Sequence, residues 1–176
     1  DELFRLNRAL RTLIACNQVL VHADDEEKLL QDICNIIVDT GVYRMSWIGT
    51  AGLDPMKTVR PVSHCGYEEN FIGSLKVSWS DDSKWGHGPT GNAIRTGKPS
   101  IAQNILLDPQ FEPWRERAIE QGYKSSIALP LFADANTSWG ALNIYATEEN
   151  AFDQKEVALL QDMASELSYG LNTLRM

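Results

Sequence analysis

Reactive side chains are few in this chain, and their spacing decides what they can do. Cys16, Cys34 and Cys65 are scattered and form no C-x-x-C pair. They offer neither a dithiol couple nor a thiolate metal site. An odd set of dispersed thiols suits reduced, buried cysteines of a cytosolic domain. His22, His64 and His87 also lie far apart, without metal-ligand spacing. His87 reads as a turn residue rather than a haem or metal ligand, so no metal is expected. Ser125-Ser126 lacks a nucleophile-elbow pattern, and its hydroxyls read as hydrogen-bonding groups. Asp108 and Arg115 are spaced to pair across a loop or to grip a polar ligand. Gly86, Gly88 and Gly91 invite a phosphate-cradle reading, yet neither G-x-x-x-x-G-K-[ST] nor G-x-G-x-x-G is present. Tight turns account for them. They open a stretch, residues 85–105, that reads as turn, short helix and strand. Pro89 suits a first helical position and Gly97 a helix stop. Such a segment can lie across a sheet and close a cavity.

A chain of 176 residues has room for one domain with a full core. Its 43 % hydrophobic and 23 % charged content are those of an ordinary soluble protein. A net charge of −8 counts against nucleic acid as a partner, since duplex binding needs clustered Lys and Arg. No apolar run approaches membrane-spanning length and no signal peptide is visible, so no membrane contact is expected. The chain opens on Asp1 and both ends read as helix. The expectation is a cytoplasmic fragment of a longer protein.

Residues 1–22 read as a helix with a strict 3-4 apolar repeat. Leu3, Leu10 and Asn17 fall on a positions, and Leu6, Leu13 and Leu20 on d positions. Asp24, with Glu27 as capping-box partner, starts a second helix that Thr40-Gly41 stops. Residues 43–50 and 58–65 read as strands around a turn at Asp54-Pro55. A weakly periodic crossover, residues 66–84, contains Tyr67, Phe71, Leu75, Val77 and Trp79. After residues 85–105, a short helix spans 114–121. Residues 125–132 and 138–146 form a hairpin. The last helix is capped by Asp153 with Glu156 as box partner; Val157, Ala164 and Leu171 take a positions, and Leu160, Leu167 and Leu174 take d. The predicted class is α+β, with a mainly antiparallel sheet, helices on one face and a loop-rich layer on the other. The divisions are 1–22 as a dimerisation helix, 23–152 as the core and 153–176 as a helix leading to a further domain.

Strand parity locates a candidate site. Ile127, Leu129 and Leu131 share one face of their strand, and Ser126 lies on the other. Leu142 and Ile144 oppose Asn143 and Tyr145. Met45 and Trp47 oppose Ser46 and Ile48. The greasier faces are expected against the helices. Ser46, Ser126, Asn143 and Tyr145 are expected to look toward the crossover layer, where Trp85, Asp108, Trp114 and Tyr123 form a lid. Small polar residues beneath aromatic ones make a ligand pocket, unless the tryptophans fill the space.

At this point the chain resembles a GAF domain over nearly its whole length. The carrying residues are Trp47-Ile48-Gly49, the GHGPTG run at 86–91 with AIRTG at 93–97, and Asp108-Pro109. Trp114-Arg115 follows, then GYKSS at 122–126 with Leu129-Pro130-Leu131. WGAL at 139–142 and Phe152 with Glu156 and Leu160 complete the set. It is most similar to GAF modules placed before PAS, histidine-kinase or diguanylate-cyclase domains in bacterial signalling proteins. The resemblance implies a sheet of about six antiparallel strands. It also implies a sensory module that binds an unidentified small molecule, forms a homodimer through its terminal helices and signals to an output domain in cis. Bilin-binding relatives carry a chromophore cysteine where residues 108–124 have none, which counts against a covalent bilin. The Asn-Lys signature of cyclic-nucleotide relatives is broken here, because Ile144 follows Asn143. The enzymatic relatives, free methionine sulfoxide reductases, need cysteines near the pocket. Cys65 is the one candidate pocket thiol, and a thiol-dependent enzyme is the alternative reading.

Overall fold

The periodicities translate into five helices and five strands among the described residues, with an apolar cluster on each face of the sheet. The computed structural model describes residues 2–66 and 71–175; Asp1, Met176 and Tyr67 of the crossover lie outside the described residues. Helices α1 (Glu2–Val21) and α2 (Glu26–Asp39) lead into strands β1 (Met45–Ala51) and β2 (Val59–Gly66). Helix α3 (Pro89–Thr96), strand β3 (Ser100–Ala102) and helix α4 (Arg115–Glu120) follow the crossover. Strands β4 (Ser125–Phe132) and β5 (Ser138–Ala146) precede helix α5 (Gln154–Arg175).

Local chemistry sets most of the ends. Asp25, not Asp24, caps α2, its carboxylate accepting from Lys28 N at 3.0 Å. Pro89 begins α3, and Gly97 ends it in the left-handed region at φ 69°. Glu156 N donates to Asp153 Oδ1 at 2.8 Å at the start of α5. The reciprocal half of that capping box is not made, because the Glu156 side chain turns inward to α1 instead.

The sheet is antiparallel in the order β2-β1-β5-β4-β3. It has five strands, close to the six or so anticipated. Its borders are irregular: β2 contains Pro61, a bulge interrupts its pairing between Ile48 and Gly49, and β3 has three residues. Val59 N also donates to Val77 O of the crossover at 2.9 Å.

One face of the sheet packs on α2 and α5, burying Ile48, Ile127, Leu129, Leu142 and Ile144 with Ile33, Leu160 and Leu167. The a and d residues of α5 are thus spent largely within the domain, Leu160, Leu167 and Leu171 being fully buried. Helix α1 behaves oppositely. It docks through Arg8, Ala9, Thr12 and Cys16, while Leu10, Asn17 and Val21 face outward. Small residues permit the close approach of α1, and Cys16 Sγ lies 3.5 Å from Met163 Sδ of α5. Arg8 closes the joint. Its Nε donates to Glu156 Oε2 at 3.0 Å, and Nη2 pairs with Glu148 at 2.8 Å. Tyr43 OH donates to the same Glu156 oxygen at 2.5 Å, and the guanidinium lies 4.4 Å from the Tyr43 ring centroid.

Candidate functional site

The other face of the sheet carries the candidate pocket. Register fixes what points there: Trp47 of β1 pairs with Asn143 of β5, and Ser126 of β4 pairs with Tyr145. Cross-strand partners share a face, so these four side chains look toward the crossover. Phe71, Phe111 and Trp114 roof them, and Gly88, Pro89 and Thr90 bring in the start of α3. A Cβ on Gly88 would lie 2.6 Å from Trp114 Cη2 and closer still to Cζ3, so glycine here lets the indole settle. The cavity between them is about 20 Å³. That is room for roughly one water; the aromatic rings occupy the rest.

Three uncharged polar groups converge. Thr90 Oγ1 donates to Asn143 Oδ1 at 2.7 Å. The Asn143 amide nitrogen makes longer bonds to Trp47 O and Ala141 O, at 3.3 and 3.4 Å. Ser126 Oγ is buried and has no hydrogen-bond partner among the described residues. Trp47 Nε1 donates to Tyr145 OH at 3.0 Å. Burial pushes the Tyr145 phenol up despite that bond, so it is neutral at physiological pH. No carboxylate, imidazole, ammonium or guanidinium stands among the described lining residues, and no metal-capable cluster occurs among the described residues. The described lining residues include no general acid–base pair, and a guest larger than water needs one of the rings to move.

Four of the eight anticipated residues, Trp114, Ser126, Asn143 and Tyr145, meet at this pocket. Ser46 does not. It lies on the helix face, its Oγ donating to Cys34 O at 3.1 Å, and the parity expected for β1 is inverted. The pairing of Trp47 with Asn143 decides this. Asp108 caps the 3-10 turn Pro109–Trp114, accepting from Gln110 N at 3.0 Å, and Arg115 bonds its backbone carbonyl rather than its carboxylate. Tyr123 stacks behind Tyr145, ring centroids 4.5 Å apart. Trp85 meets Trp114 edge-on from outside, at 6.1 Å. Trp47, Phe71, Thr90 and Phe111 were missed as lining residues. Thr90 had a signal, its place within the glycine-rich run at the start of α3; Phe71 and Phe111 had none.

The thiols occupy the opposite face. Cys16 and Cys34 are buried in the helix-side core, and Cys65 packs at its margin. Cys65 is therefore not a pocket thiol as anticipated, because its cross-strand partner is Ser46. Burial pushes the Cys16 thiol up to about 12 and the Cys34 thiol up to about 11, and raises Cys65 as well.

A family model described as GAF domain matches residues 23–172. No curated protein matches the chain in sequence. Among solved structures, the GAF domain of a phosphoenolpyruvate-protein phosphotransferase from Coxiella burnetii superposes with a TM-score of 0.76 at 18 % identity, covering 97 % of this chain and 96 % of that one. The free methionine-R-sulfoxide reductase of Neisseria meningitidis, solved with its substrate, gives 0.75 at 15 % identity, covering 95 % and 90 %. The nlh2 GAF domain of A. aeolicus, in an inactive state, gives 0.70 at 17 %, covering 96 % and 98 %. At these identities the likeness is one of fold.

Proposed function

The chain belongs to the GAF domain family, and from that premise we propose that it is a regulatory module of a larger cytoplasmic signalling protein. It takes a small molecule between sheet and crossover, associates with a second copy and passes strain along its helices. The observation that carries this reading is the register of β1 and β5. The pair Trp47–Asn143 faces the pocket, and the next pair, Ser46–Ile144, faces the helices. A shift imposed on the first pair is carried one residue along both strands into the seat of α2 and α5. The second copy pairs along α1, where Leu10, Ile14 and Val21 are 43, 51 and 79 % exposed and Asn17 lies between them. A buried Asn at an a position favours a parallel two-fold register.

Light scattering tests the pairing: a mass twice 19.7 kDa is expected, reduced to the monomer by Leu10→Asp without loss of helical signal. A wild-type monomer at high concentration removes the pairing and the transmission route with it.

The reductase of similar fold keeps a second reading open, a thiol-dependent enzyme. The placement of all three thiols across the sheet from the pocket argues against it. The domain is therefore expected to reduce no free methionine sulfoxide. Turnover that disappears with Cys65→Ser establishes the enzyme instead.

A further inference from the structure

The chemistry of the pocket wall narrows what can enter. Its described residues carry no formal charge. A carboxylate, phosphate or ammonium would leave water there without a counter-charge, and such transfers are strongly unfavourable. The rings stand nearly perpendicular, Phe111 to Tyr145 at 89° and Phe71 to Tyr145 at 74°. Phe111 and Trp114 meet at 71°. Edge-to-face rings pack closely, so the slot open to a guest is the one that a ring vacates on moving.

One polar atom waits in that slot. Ser126 is 3 % exposed, and its hydroxyl has no partner among the described residues. Buried hydroxyls are nearly always hydrogen-bonded, and a serine can both donate and accept. Thr90 and Asn143 already satisfy each other.

The wall also has one removable part. Trp47 and Tyr145 stand on the sheet and bond each other. Trp114 comes from the end of a 3-10 turn, anchored by a hydrogen bond from Nε1 to Lys76 O at 2.8 Å. Gly88 lies against its ring with no side chain to fill the space it would leave. An indole already sits in the slot, which shows the shape the slot accepts.

We propose that the guest is an uncharged planar ring with one polar hydrogen-bonding atom, which displaces the Trp114 indole and bonds Ser126 Oγ. This rests on the reading of the pocket as a ligand site and names its ligand class. Indole is the test probe, with indole-3-acetate and tryptamine as its anionic and cationic counterparts and benzothiophene as an isostere lacking the N–H. The readout is the amide spectrum of labelled wild-type protein, together with the Trp114 Nε1–H resonance. Indole is expected to shift Thr90, Ser126 and Asn143 and to move the Trp114 signal as it leaves Lys76. Both charged counterparts bind on the order of tenfold more weakly or worse. Ser126→Ala weakens indole severalfold and leaves benzothiophene unchanged. If a charged counterpart shifts the same residues as tightly as indole, the uncharged guest is overturned while the pocket stands. If indole binds there equally well with Ser126→Ala, or without moving Trp114, the proposed seat is overturned. If no probe shifts these residues in folded protein, the pocket reading falls as well.

Discussion

Arg8 and Glu156 meet at 3.0 Å with both side chains out of water, the guanidinium on the first helix and the carboxylate at the start of the last. Removing one partner strands the other charge. Arg8→Met should therefore destabilise the domain by about 3–5 kcal/mol. The double variant Arg8→Met/Glu156→Leu should recover a large part of that loss, since no buried carboxylate remains. Denaturant unfolding of the wild type, both single variants and the double variant measures the coupling.

The same carboxylate makes stability depend on pH. Burial holds the Glu156 carboxyl above the ordinary value of 4.5, against the opposing pull of Tyr43 and Arg8. The folded state thus binds this proton more tightly than the unfolded chain. Its contribution is fully present below 4.5 and is lost as pH rises through the folded value. As pH rises above 4.5, wild-type stability should fall relative to Glu156→Gln, which cannot titrate. Parallel curves for the two proteins would show that the carboxyl titrates alike in both states.

Native thiol labelling should be slow and ordered. Cys16 and Cys34 are buried with raised thiols, whereas Cys65 is half-exposed. Only thiolate reacts, so Cys65 should label first with a disulfide reagent near neutral pH. Cys16 and Cys34 should follow only on unfolding. Mass spectrometry of the labelled peptides reads the order, and fast labelling of Cys34 would contradict the packing of α2 on the sheet.

Gly88→Ala tests the seat of Trp114. The Gly88 backbone, at φ −82°, suits any residue, so the cost is steric. Overpacking of this kind costs about 1–3 kcal/mol. Expelling the indole should also shift tryptophan emission to the red. An unchanged spectrum with unchanged stability would mean that the ring relaxes within the pocket.

Much of this architecture is legible in the residues. β4 and β5 alternate an aliphatic face with a smaller one, and their pairing follows. Gly97, Pro89 and Asp153 mark helix ends because each removes or satisfies a specific backbone group. β1 misleads because it is buried on both faces from Met45 to Gly49; apolar content then carries no information about direction, and only pairing with Asn143 orients it. The leucine repeat of α1 suggests a seam for a second copy, whereas Leu13 and Leu20 pack on the domain's own core beside the docking face of Arg8, Ala9, Thr12 and Cys16. Nothing local marks Arg8 as buried, since its partners lie 148 and 35 residues away, at Glu156 and Tyr43.

The borders of the sheet bear on how this domain fails as well as how it works. Fibrils and swapped sheets grow by adding a strand to a long, flat row of unpaired N–H and C=O groups. Pro61 interrupts that row on β2, the extra residue Val62 bulges and twists the same strand, and Val77 covers part of it. The opposite border, β3, is three residues long. Neither edge is a good template for β-aggregation. Concentrated protein is therefore expected to form no strand-addition fibrils while it stays folded.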